Sequence, residues 1–135
     1  MSIRGMSNPE RIYYGNGKVK EEAYCVNGEL HRTDGPAYVE WYENGRQKWE
    51  EYWVNDDLHR EDGPARNQWH DNGQIRYVAY YVNGRLHRED GPAVTWWDED
   101  GNITGQRFSL NSLVVSVYDV LDEKDAFAWA LAYNA

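Results

Sequence analysis

Leu30-His31-Arg32-Thr33-Asp34-Gly35-Pro36-Ala37 returns as Leu58-His59-Arg60-Glu61-Asp62-Gly63-Pro64-Ala65 and again as Leu86-His87-Arg88-Glu89-Asp90-Gly91-Pro92-Ala93, each copy 28 residues after the last. Only the fourth position changes. A fixed period between roughly 20 and 50 residues marks an array whose units bury apolar surface on their neighbours. The fold therefore reduces to the structure of one repeat and the way its copies stack.

Turn signals are phased to the octets. Asn16-Gly17, Asn27-Gly28, Asn44-Gly45, Asn55-Asp56, Asn72-Gly73, Asn83-Gly84 and Asp100-Gly101 follow one another at spacings that alternate between 11 and 17. Such pairs tolerate the positive φ of a two-residue type I′ turn, whose twist matches that of paired strands. Seven of them predict an antiparallel meander of about eight strands. The aromatic share, 15% of residues with 7 Trp and 11 Tyr, favours sheet over helix. The octet lies in the longer connection and reads as a bend: Asp caps backbone N–H groups, Gly admits left-handed backbone and Pro gives up a donor.

If Asn44-Gly45 closes a two-residue turn, Ala37 faces Tyr52, Val39 faces Glu50 and Trp41 faces Lys48, all on one side of the sheet. One repeat on, Ala65 faces Tyr80 and Trp69 faces Arg76; one further, Ala93 faces Phe108 and Trp97 faces Thr104. Around Asn27-Gly28, Tyr24 faces His31, so this side repeats Ala, Trp, aromatic and His in successive units. The Trp–cation pairs are expected to be cation–π contacts worth about 0.5–1 kcal/mol each.

The opposite side changes from unit to unit. Its positions read Tyr38, Arg66 and Val94; Glu40, Gln68 and Trp96; Tyr42, His70 and Asp98; Trp49, Tyr77 and Gly105; Cys25, Trp53 and Tyr81. Constant positions serve stacking, whereas variable ones are free for recognition, and Tyr, Trp and Arg are the residues that anchor interfaces. The partner-binding candidates are thus Tyr38, Tyr42, Trp49, Trp53, Arg66, His70, Tyr77, Tyr81 and Trp96. Packing beneath the C-terminal segment or a second copy is the competing use of the same rings.

By phase, residues 1–11 form a lead-in, 12–111 the β-hairpin repeats and 112–135 a C-terminal cap. In the cap, the stretch from Leu113 to Leu121 reads as a last strand. Asp122 then reads as the N-cap of a helix, carrying Ala126-Phe127-Ala128-Trp129-Ala130-Leu131. That run is apolar all round and is expected to be buried, as a cap on the sheet or against a partner.

The pattern Val26-Asn27-Gly28-x-Leu30-His31-Arg32-x-Asp34-Gly35-Pro36-Ala37-x-x-x-Trp41-x-x-Asn44-Gly45 resembles MORN-type repeats, in the divergent variant found in bacterial, phage and giant-virus proteins and some antitoxin-like proteins. The resemblance covers residues 12–111. It implies an elongated, twisted single sheet of hairpins, all-β, used as a binding scaffold with no enzymatic chemistry in common. Ordinary MORN units are shorter and carry Tyr-x-Gly-x-Trp signatures absent here, so lipid binding is not implied.

Chemistry is the rival reading of the octet, because His31, Arg32 and Asp34 lie within four residues. Equivalent residues of successive units stand two strands apart, about 9.5 Å, too far to share a zinc ion held at about 2.0–2.1 Å. An active site needs one constellation, not three, and the Arg–Asp pair is better read as closing the bend, with His stacked on Tyr. Asp98-Glu99-Asp100-Gly101 lacks the ordered ligands of a calcium loop. No catalytic residue, cofactor or metal is expected, and Cys25, alone and aligned with Trp53 and Tyr81, is a space-filler.

The formal charge of −9 is spread along the chain, which disfavours nucleic-acid and membrane surfaces and suits a basic protein partner. No apolar run is long enough for a membrane helix, and the start lacks the apolar core of a secretion signal, so a cytoplasmic protein is expected. The functional expectation is a non-enzymatic protein-binding module, such as a phage counter-defence inhibitor or antitoxin-like neutraliser, with homo-oligomerisation open. A nucleic-acid mimic and a small-molecule or nucleotide sequestering protein are the alternatives.

Overall fold

Between the turn pairs, short alternating segments become fifteen strands in the computed structural model, which describes residues 9–119. They are β1 (Glu10–Tyr13), β2 (Val19–Ala23), β3 (Cys25–Val26), β4 (Glu29–Leu30), β5 (Tyr38–Trp41), β6 (Gln47–Glu51), β7 (Trp53–Val54) and β8 (Asp57–Leu58). There follow β9 (Arg66–Trp69), β10 (Ile75–Ala79), β11 (Tyr81–Val82), β12 (Arg85–Leu86), β13 (Val94–Trp97), β14 (Ile103–Leu110) and β15 (Leu113–Asp119). Nine of them form one antiparallel sheet in the order β1-β2-β5-β6-β9-β10-β13-β14-β15. The remaining six pair off as small hairpins, β3 with β4, β7 with β8 and β11 with β12. The all-β meander is therefore what forms, with a side array of hairpins that the turn count does not reveal. The first strand starts at Glu10, inside the segment read as a lead-in. The predicted helix after Asp122 lies outside the described residues.

Two turn chemistries alternate, where one was expected. At Asn27-Gly28, Asn55-Asp56 and Asn83-Gly84 both residues have positive φ, between 49° and 80°, as a type I′ turn requires. At the other turns only the glycine does, with Gly45 at 90° and Gly73 at 91°. There Tyr42 N–H donates to Arg46 C=O and Gly45 N–H to Tyr42 C=O, a three-residue loop with a left-handed glycine. The extra residue is absorbed as a bulge between Glu40 and Trp41. Val39 still faces Glu50 as predicted, but Trp41 faces Gln47 rather than Lys48, and Trp69 faces Ile75 rather than Arg76. The expected Trp–cation pairs do not form; Lys48 Nζ lies instead 5.6 Å from the Tyr42 ring centroid.

The octet is what sends the small hairpins off the main sheet. One residue, Tyr24, separates Ala23 from Cys25 on the way out, whereas residues 31–37 separate Leu30 from Tyr38 on the way back. The return path is longer by most of the octet, so β3–β4 cannot continue the β2–β5 ladder. After Asn111-Ser112 no octet follows, and β14 and β15 pair from Leu110↔Leu113 to Gly105↔Asp119 with a single bulge. The last hairpin is thus one long ladder.

Each hairpin leans on the next. Arg32 N–H donates to Trp53 C=O and Asp56 N–H to Leu30 C=O, and the same bonds recur as Arg60 to Tyr81 and Gly84 to Leu58. Among the described residues the main sheet has no second layer, and its buried hydrophobic residues are mostly small: Ala37, Ala65, Ala79 and Ala93, with Val39, Leu58, Val94 and Phe108.

Candidate functional site

In the bend, the arginine rather than the histidine stacks on tyrosine. The Arg32, Arg60 and Arg88 guanidinium carbons lie 4.0, 4.0 and 4.1 Å from the ring centroids of Tyr24, Tyr52 and Tyr80. Each Nε donates to the aspartate two residues on, at 2.9 Å for Asp34 and 3.1 Å for Asp62 and Asp90. The Nη1 donates to the carbonyl of Pro36, Pro64 or Pro92. The planar fork thus makes two directed hydrogen bonds while its face stacks on the ring, which a lysine could not achieve. Gly35, Gly63 and Gly91 are explained by the same packing: a Cβ would meet the guanidinium at 3.0 Å, and their φ is not positive, so close approach rather than left-handed backbone selects glycine.

The histidines act between units. Nδ1 of His31, His59 and His87 accepts the N–H of Asn55, Asn83 and Asn111, 24 residues on, at 2.9 to 3.1 Å. His, Arg and Asp of the trio thus each have a structural duty. Asp34 shows the electrostatic consequence, since the hydrogen bond from Arg32 holds its carboxyl below the usual range. No group of three or more potential ligands is arranged for a metal ion among the described residues. Cys25 is a free, half-buried thiol whose pKa is raised by burial.

The variable side gathers most of the predicted recognition residues. Glu21, Glu40, Trp49, Gln68, Tyr77, Trp96 and Gly105 stand in one register row across seven strands, and Ala23, Tyr38, Glu51, Arg66, Ala79, Val94 and Arg107 form the parallel row beside it. Trp49 and Tyr77 are stacked, 5.9 Å between centroids and 5° between planes; Tyr77 and Trp96 are 5.9 Å apart at 48°. All three rings are half-buried, a continuous aromatic ladder open on one side. Arg66 packs over Trp49 and Tyr81 at 5.8 and 5.6 Å. Its Nε donates to Glu51 at 2.7 Å, and Trp53 Nε1 donates to the same carboxylate at 3.0 Å. Burial opposes the charge on Arg66, but Glu51 prevails and its pKa is raised. Burial also raises the pKa of Tyr77, with Tyr81 adding to it.

Tyr42 and His70 are drawn elsewhere. Tyr42 Oη donates to Trp69 C=O at 2.6 Å, and His70 Nε2 lies 3.1 Å from Trp97 C=O, each tying one turn to the next unit. Tyr38 Oη sits between two carboxylates, donating to Glu21 and lying 2.9 Å from Glu40. Burial and these acids push its pKa far up, so it stays a hydroxyl. Glu51 and Arg107 are charged members of this side that the candidate set omits, along with Glu21 and Glu40. The signal for Glu51 and Arg107 is present in the repeat, because one strand position reads Ala23, Glu51, Ala79 and Arg107, and Glu21 occupies the position of Trp49, Tyr77 and Gly105.

No family model, curated protein or solved structure matches the chain. No helix among the described residues is long and apolar enough to cross a membrane.

Proposed function

We propose that the chain is a non-enzymatic protein-binding module of MORN-like repeats that presents its variable side to a protein partner in the cytoplasm, as an inhibitor or antitoxin-like neutraliser does. The observation that supports this is the Trp49–Tyr77–Trp96 ladder. It is continuous, half-exposed and placed where successive units differ, while the constant residues are used up in stacking units together. Large rings at the centre of a surface, ringed by polar side chains, are the usual anchors of protein interfaces. Cationic side chains of a partner would meet Glu21 and Glu40 at one end of the row.

A photo-crosslinking residue at Tyr77, compared with one at Val78 on the opposite side, tests the reading in the native cellular context. Covalent capture of a discrete protein from position 77 alone is expected. Capture only from position 78, or from neither, would remove the variable side from recognition. Binding that persists in high salt separates ring-anchored contact from acidic mimicry of nucleic acid.

A further inference from the structure

We infer that the variable side is self-complementary and pairs with the same side of a second copy about a two-fold axis running along β9. The inference rests on the reading of this side as a binding surface and names one occupant for it. Among the described residues the sheet is a single layer with a half-exposed aromatic row, and folded domains complete such a core by adding a second layer.

The charges along the row select the second copy. At one end Glu21 and Glu40 stand opposite each other in register, an unfavourable juxtaposition eased by Tyr38 Oη. No ion pair joins either carboxylate to a basic residue among the described residues. At the other end Arg107 packs over Trp96 at 5.7 Å, and its buried Nε has no hydrogen-bond partner. Across the ladder from Arg107 stands Val94, which offers no carboxylate, whereas Arg66 has Glu51 opposite it on the neighbouring strand. Among the described side chains one end thus lacks a cation and the other lacks an anion, with the aromatic ladder between them.

Their positions are symmetric. In the strand order, β2 with Glu21 and β14 with Arg107 each stand three strands from β9, about 14 Å to either side. A two-fold along β9 carries each end over the opposite end of the other copy. Glu21 and Glu40 then approach the partner's Arg107, while Trp49 lies over the partner's Tyr77. An in-plane axis at right angles to the strands would set acid on acid, so the charges exclude it. Two sheets packed face to face at about 10 Å, strands aligned, give an isologous dimer.

Charge reversal tests both the dimer and its axis. The full chain is expected to sediment as a dimer that dissociates on dilution. Glu21→Arg sets like charges together at two symmetry-related contacts, as does Arg107→Glu, and each is expected to weaken the dimer at least about tenfold. Mixing the two variants restores opposite charges at both contacts and is expected to recover association as a heterodimer. A thermal melt checks that each variant folds, and Glu40→Lys replaces Glu21→Arg if that one does not. A wild type monomeric at every concentration would overturn the inference, as would a dimer indifferent to reversal or single variants that mixing fails to rescue. Crosslinking from Tyr77 to a different protein by a strictly monomeric chain would sink the dimer and leave the recognition reading standing.

Discussion

Arg60 shows how much of this molecule rests on single side chains. It stacks on Tyr52, pairs with Asp62, bonds Pro64 C=O and fills the space that glycine leaves at position 63. Arg60→Gln keeps some polarity but loses the fork and the stacking cation, and is expected to lower stability by about 2 kcal/mol in urea unfolding. Acid should act on the bends as well. Asp34 and Asp98 have pKa values below the usual carboxyl range, Asp34 through Arg32 and Asp98 through the backbone N–H groups of Asn102 and Asp100. Carboxyls depressed in this way contribute stability above the ordinary Asp range and lose it as pH falls through their folded values, so the melting temperature should drop below about pH 4. An acid-insensitive melt would discount both contacts. The sequence pattern suffices to pair Arg with Asp in the bend, but not to choose arginine over histidine as the ring's neighbour, because that depends on where the hairpin places the next unit's N–H.

At the scale of elements, the two turn types carry different demands. Gly73 has φ 91°, outside what an L side chain accepts comfortably, so Gly73→Ala should cost about 1 kcal/mol. Ser112 holds φ 71° in the last type I′ turn, where Gly28 and Gly84 occupy the same place in other units. Ser112→Gly should therefore gain about 0.5 kcal/mol, the relief of strain being partly offset by the greater freedom of glycine in the unfolded chain. Parallel denaturant titrations of the two variants check both signs. Asn-Gly announces a left-handed glycine in either turn, so the sequence locates seven turns but not Asn111-Ser112, and does not distinguish type I′ from the three-residue loop. What distinguishes them is the φ of the residue before the glycine position, positive in type I′ and not in the three-residue loop. The bulge that moves Trp41 off Lys48 follows from that choice.

For the whole molecule, the two sides of the sheet should respond differently to the loss of a large ring. Trp69 is a half-buried ring on the side on which units repeat, so Trp69→Ala should cost about 2 kcal/mol. Trp96→Ala, on the ladder, should cost less than about 1 kcal/mol yet remove most of the crosslinking from position 77; equal losses of stability from both would erase the difference between the sides. The sequence by itself determines the period, the places of seven turns, the all-β meander and the register that sets Val39 against Glu50, because backbone periodicity and turn residues act locally. Only the tertiary structure decides that the small hairpins leave the main sheet, that Arg rather than His stacks on Tyr, and that Trp49, Tyr77 and Trp96 form one row. Those outcomes depend on the added length of the octet's return path and on the pairing of strands 28 residues apart, which no local pattern contains.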